Sequence, residues 1–215
     1  MADIINFADY YTPNNFNYNI SKRFLHLRKK SKPPSPERQG SLDGLCGIYS
    51  VINAINYTAR LSQKQRDGLF KQLIRAVKKG YDVDKCILYG TDKKLLLFMF
   101  QAAQNYLGKK YKIKVKINPL FNPRAKPDKQ RYLTTLSDFL SGDNRILIVG
   151  LSGMHEHWTC ITAITPKTIR LLDSDGLYYL RTANCYVRGK FSDSSHLLIP
   201  SKTWGIYLNN DRFLP

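Results

Sequence analysis

The chain has 215 residues, enough to bury a hydrophobic core in one domain of ordinary size. Its 43% hydrophobic and 12% aromatic residues exclude wholesale disorder. A formal charge of +18, from 34 Lys+Arg against 16 Asp+Glu, points toward polyanions, acidic protein surfaces or anionic lipid heads, with a solubility surface as the plain alternative.

Residues 1–38 read as a basic, proline-containing arm and residues 39–215 as the folded domain. The arm opens MADIINFADYYTPNNF, with acids and tyrosines where a signal peptide carries basic and then apolar residues. It continues through SKRFLHLRKKSK to PPSPE, whose prolines favour an extended, solvated segment. From Gly47, the residues Ile48, Val51, Ile52, Ile55 and Ala59 fall on one helical face, which predicts a helix over about 46 to 59. Ser62 can cap a second helix with the face Leu69, Phe70, Leu73, Ile74 and Val77, ending near Gly80. Thr91 can cap a third, over about 92 to 107, that stops at Gly108. KKYKIKVKINP then alternates lysine with Tyr111, Ile113, Val115 and Ile117, the pattern of a strand with one buried and one wet face. After a basic loop, TTLSDFL predicts a short helix, RILIVGL, HWTCITAI and TIRLLD three strands, and TWGIYL a closing strand. Helices followed by a mostly antiparallel sheet make an α+β domain. LLLFMF and ILIVGL are too short to span a bilayer. Cys46, Cys86, Cys160 and Cys185 form no CxxC pair and read as reduced thiols. The expectation is a soluble protein, cytoplasmic or delivered into another cell without a Sec signal.

Chemistry concentrates in two stretches. In QGSLDGLCGIYSVIN, Cys46 stands at the first turn of a helix, where the macrodipole and unpaired backbone N–H groups favour a thiolate. Gly44 and Gly47 beside it allow close approach of backbone or substrate. The alternative is a small packed core cysteine. In HWTCITAITPKTIRLLD, His157 opens a strand and the turn TPKT brings Asp173 back to the same end of a hairpin. An imidazole oriented by a carboxylate and facing a thiol is the arrangement of covalent hydrolysis. Gln39 offers an amide donor for the oxyanion, beside the backbone N–H of Cys46. His155 and Asp175 compete for the histidine and carboxylate roles. His157 leads directly into the apolar run, with Trp158 as a shield for the ring. Asp173 follows TIRLL without a break, which leaves Asp175 and Gly176 for the turn.

On Gln39, GLCGIYS, the His-Trp pair at 157 and 158 and the strand-ending Asp, the chain resembles the papain-like cysteine peptidases. It is similar to the C39-like peptidases and, through QGSLDGLC and EHW, to the Josephin deubiquitinases. The Asp-Ser pair at 173 and 174 also resembles that of the ubiquitin-like-protein peptidases, whose cysteine follows the histidine. The resemblance implies a papain-like fold, with Cys46 as nucleophile, His157 as base and then acid, Asp173 as orienter and Gln39 as oxyanion donor. It also implies a polypeptide substrate, with ubiquitin or a ubiquitin-like protein as a candidate, and no cofactor. The chain departs from the pattern twice. Six residues separate Gln39 from Cys46 where many papain-like enzymes have five, and Ser174 stands where C39-like peptidases usually have proline.

Other readings stay open. The same thioester can be resolved by an amine or formed by deamidation. His155, His157 and Cys160 are ligand types for zinc, without a second ligand pair at the usual spacing. His26 and His196 have no partner in sequence. The cluster Lys22, Arg23, Arg28, Lys29, Lys30 and Lys32, with a second from Lys109 through Arg131, suggests a non-catalytic basic module for nucleic acid or an acidic partner. There Tyr111, Phe121 and Tyr132 would stack bases. The plain account of the strand lysines is protection of a sheet edge.

Overall fold

The computed structural model describes residues 33–40, 43–187 and 195–208, all within the unit that begins at Pro33. Most of the expected arm, with His26 and its basic cluster, lies outside the described residues. Of its last residues, Glu37 is tied to the domain, because its N–H donates to Asn53 Oδ1 at 2.7 Å and its carboxylate holds Arg66 at 2.6 Å.

The first helix, α1, is Cys46–Ala59, as the apolar spacing predicts. Ile48, Val51, Ile52 and Ile55 are at most 2% exposed, and Ser50, Asn53 and Asn56 are buried as well, so α1 is enclosed on almost every side. Next, α2 (Gln63–Gly80) starts with a reciprocal cap between Ser62 and Gln65. The periodicity missed α3 (Val83–Tyr89), which is too short to display a repeat and is nucleated by Asp82 accepting from the N–H groups of Asp84 and Lys85. The next helix, α4 (Lys93–Tyr111), corrects two expectations. Its cap is Asp92, which accepts from Leu95 N–H at 2.7 Å, rather than Thr91. It also passes Gly108 and ends where Lys112 takes a left-handed φ of 59° and Ile113 N–H reaches back to Leu107 C=O.

Tyr111 is therefore helical, packed edge-on against Tyr106, and β1 shrinks to Val115–Pro119. The alternation survives in part, with Val115 buried and Lys114 and Lys116 exposed. Then α5 (Lys129–Leu140) extends the helix expected at TTLSDFL by several residues. The remaining strands are β2 (Ile146–Gly153), β3 (His157–Ile164), β4 (Thr168–Leu172), β5 (Tyr179–Arg181), β6 (Cys185–Tyr186) and β7 (His196–Leu208).

The sheet runs in the order β1-β7-β2-β3-β4-β5, with β6 parallel to β7 and every other pairing antiparallel. This is the expected α+β class. Both faces are covered, which explains why ILIVGL is apolar without alternation. Ile146 and Ile148 pack with α1, α2 and α4, whereas Leu147 and Val149 pack with Tyr132, Leu133 and Leu136 of α5. As the edge strand, β1 presents Lys116, with Lys114 just ahead of it, where another sheet would pair. The base-stacking reading fails at Tyr132, which is fully buried, bonded through its hydroxyl to Thr203 Oγ1 at 2.8 Å and stacked on Phe121. Among the described residues, no helix is long and apolar enough to cross a membrane.

Candidate active site

Four of the five α-helices among the described residues start with a side-chain cap, from Ser62, Asp82, Asp92 or Asp128. Among the described residues only α1 does not, since Leu45 stands at its N-cap position and no acidic residue occupies its first turn. The first turn of α1 thus has no side-chain cap on its N–H groups, which suits a developing anion. Asp43 shapes the approach, its two carboxylate oxygens accepting from Gly40 N–H at 2.7 Å and Leu45 N–H at 3.1 Å.

The glycines beside Cys46 are filled by the chain itself. Gly44 N–H donates to Ile87 C=O at 2.7 Å. A Cβ on Gly47 would lie 2.6 Å from Thr91 Cβ and Oγ1, so glycine here lets the α3–α4 connection press against the start of α1. Trp158 does not shield the imidazole as expected. It turns into the helix-side core, where its Nε1–H donates to Thr91 C=O at 2.5 Å.

His157 and Asp173 owe their meeting to a bulge. Near the hairpin turn Ile164 pairs with Ile169, but beyond an irregularity between Ile161 and Ala163 the partners are Ile161 with Leu171 and Cys160 with Leu172. Continued without the shift, the first register would set Asp173 opposite Cys160, on the helix-side face. With it, Asp173 falls opposite Thr159, on the same face as His157 and diagonal to it. His157 Nε2 lies 2.7 Å from Asp173 Oδ2, and the two side chains are 9% and 0% exposed. Asp173 Oδ1 accepts from the N–H groups of Asp175 at 2.8 Å and Leu177 at 3.2 Å, and a φ of 96° at Gly176 turns the loop to deliver them. Asp175 itself is exposed.

The Cys46 thiol lies close enough to the ring to act on its charge. With Nε2 engaged by Asp173, Nδ1 is the nitrogen left for sulfur. Burial pulls the imidazole down, but the hydrogen bond and charge of Asp173, with the influence of the nearby Cys46 sulfur, outweigh it and push His157 up to about 10. For Asp173 burial acts upward, and the His157 hydrogen bond and charge override it to hold the carboxyl below its usual 3.8. An imidazolium between a carboxylate and a sulfur, nearly closed to water, can deliver a proton to a leaving group and take one back.

Gln39 approaches the same loop. Its backbone N–H donates to Ser174 C=O at 3.1 Å, and its Oε1 accepts from Ser174 Oγ at 3.2 Å. The structure therefore brings His157, Asp173 and Cys46 together, with Gln39 joined to the residue after Asp173. The zinc trio is not assembled. Cys160 is fully buried with its thiol donating to Ser50 C=O, His155 stacks on His196 at 5.5 Å, and no cluster of three or more His, Cys, Asp or Glu side chains suited to a metal exists among the described residues. The described cysteines are free.

Sequence reasoning missed Asp43 and Ser50, named Thr91 only as a helix cap, and named Ser174 without a role in the site. Only Asp43, in the Asp-Gly turn of QGSLDGLC, carried a local signal. Ser50 hides in the helix interior and donates to Trp158 C=O, 108 residues away, at 2.8 Å.

No protein family profile and no curated protein matches the chain. Among solved structures it is similar to a double glycine motif protease from an AMS/PCAT transporter in complex with the leader peptide. The two share 14% identity at a TM-score of 0.38, over 85% of this chain and 94% of that one.

Proposed function

We propose that this chain is a thiol hydrolase that cleaves peptide or isopeptide bonds through an acyl-enzyme on Cys46. The observation that carries the reading is the His157–Asp173 pair at 2.7 Å beside the Cys46 thiol, which stands at the start of a helix without a side-chain cap. In this mechanism the Cys46 thiolate adds to the amide carbonyl carbon. The oxygen takes the charge and faces the Cys46 N–H and the Gln39 carboxamide. His157 gives its proton to the departing amine, which leaves a thioester. Neutral His157 then takes a proton from water as it attacks, and collapse releases the acid and restores the thiolate. Asp173 stays ionised throughout and holds the ring so that Nδ1 faces sulfur.

The substrate we assign is a polypeptide, with ubiquitin or a ubiquitin-like protein as the first to be tried. The test is a panel of electrophilic probes built on ubiquitin, ubiquitin-like proteins and short peptides, with Cys46→Ala as control. Adducts that require Cys46 support the reading and name the substrate. A panel without adducts, together with Cys46 alkylation no faster than that of a free thiol, sinks it. The same thioester serves acyl transfer or deamidation, which product analysis with an added amine separates from hydrolysis.

A further inference from the structure

Building on the reading of Gln39 as oxyanion donor, we infer that Ser174 is a positioning residue that holds the Gln39 carboxamide in its working orientation. Gln39 lies seven residues ahead of Cys46, and its side chain turns about three bonds, so its reach alone does not place the amide nitrogen. Ser174 limits that freedom through two contacts. The main chain is fixed by Gln39 N–H to Ser174 C=O at 3.1 Å, and the side chain by Ser174 Oγ–H to Gln39 Oε1 at 3.2 Å. With the oxygen end of the carboxamide engaged, the nitrogen end is the part left to meet substrate.

Ser174 is 2% exposed, so this hydroxyl is sheltered from competing water. Its neighbour Asp173 orients His157 at 2.7 Å. One dipeptide therefore serves two partners, the carboxylate holding the base and the hydroxyl holding the oxyanion donor. A proline in place of Ser174 would keep the backbone carbonyl but offer no hydroxyl, so the second contact depends on serine.

The test compares two reactions at Cys46. With p-nitrophenyl acetate the thiolate adds to the ester carbonyl carbon, the oxygen becomes negative, and collapse expels p-nitrophenolate to leave an acetyl thioester. With iodoacetamide, sulfur displaces iodide at a saturated carbon and no oxyanion forms. Ser174→Ala is expected to slow acylation about three- to tenfold, the worth of one neutral hydrogen bond, and to leave alkylation unchanged. Ser174→Thr, which keeps the hydroxyl, is expected to restore acylation, and Ser174→Ala added to Gln39→Ala to slow it no further.

Equal slowing of both reactions would show that Ser174 acts through the fold or through Asp173, and overturns the inference. Unchanged acylation, or a full Ser174→Ala effect without Gln39, overturns it as well. The thiol reading itself fails on a different result, namely Cys46→Ala reacting with both reagents as fast as the unsubstituted chain.

Discussion

Replacing Asp173 with asparagine removes the charge that holds His157 while leaving the surrounding loop its bonds. The carboxamide oxygen of the new side chain can still accept from the N–H groups of Asp175 and Leu177, which Asp173 Oδ1 now takes at 2.8 and 3.2 Å. Its NH2 would then face His157 Nε2, which must become an acceptor, so the proton moves to Nδ1 and faces sulfur. A neutral ring in that tautomer cannot take the thiol proton. The His157 side chain is 9% exposed and its carboxylate partner 0%, so little water is present to substitute. Against burial, which pulls the ring down, Asp173 contributes the leading upward influence on an imidazole that stands at about 10. Its loss should lower the His157 titration midpoint by about 2 pH units, worth ~2.7 kcal/mol. Because an asparagine in the orienting position can cost up to about 10⁴ in kcat, acylation by p-nitrophenyl acetate should fall by about 10²- to 10⁴-fold. The midpoint is read by NMR of labelled histidine, with His157→Gln to assign the signal, and acylation by nitrophenolate release. A variant that folds, keeps its His157 midpoint and acylates at the original rate would refute the reasoning.

The same pair gives the fold a pH dependence that follows from both shifts. Raised His157 stabilises fully below 6.5 and loses that contribution as pH climbs to about 10, whereas lowered Asp173 stabilises above 3.8 and loses it as pH falls. The melting-temperature gap between the unsubstituted chain and Asp173→Asn should therefore be widest between pH 3.8 and 6.5 and narrow on both sides. Gly47→Ala sets a methyl 2.6 Å from Thr91 and should cost about 1–3 kcal/mol in urea unfolding, despite the better helix propensity of alanine. Tyr132→Phe removes the buried bond to Thr203, at about 1 kcal/mol, and should leave salt-dependent retention on heparin unchanged, because the ring has no exposed surface with which to stack bases.

What was legible in the sequence was local. Cys46 at the start of α1 and the hairpin from His157 to Asp173 each follow from residues within about twenty positions, where helical spacing and turn chemistry act directly. The end of α4 was misread because Gly108 resembles a stop signal, yet the left-handed residue that ends the helix is Lys112. Tyr111 shows the same limit, since its packing on Tyr106 outweighs the alternation that would make it a strand residue. The β3–β4 bulge leaves no mark in HWTCITAITPKT, although it decides which face Asp173 joins. The contacts of Ser174 and Ser50 were invisible for a plainer reason, as their partners lie 135 and 108 residues away.

The parts of the site belong to different layers, so their relative placement rests on a few bonds between layers. Cys46 rides on α1, and His157 on β3, where it pairs with Leu151 of β2. A slip of β3 by one residue would put Glu156 or Trp158 in the place of His157. Three contacts next to the histidine oppose that slip: Ser50 Oγ to Trp158 C=O at 2.8 Å, Cys160 Sγ to Ser50 C=O at 3.3 Å, and Trp158 Nε1 to Thr91 C=O at 2.5 Å. Two of them tie β3 to α1 through a single serine one turn after Cys46, and the third ties it to the connection packed on Gly47. Thiol and imidazole are thus held to each other by the residues adjoining them, and the bulge and the Asp173–Ser174 loop have only to close on a frame already in register.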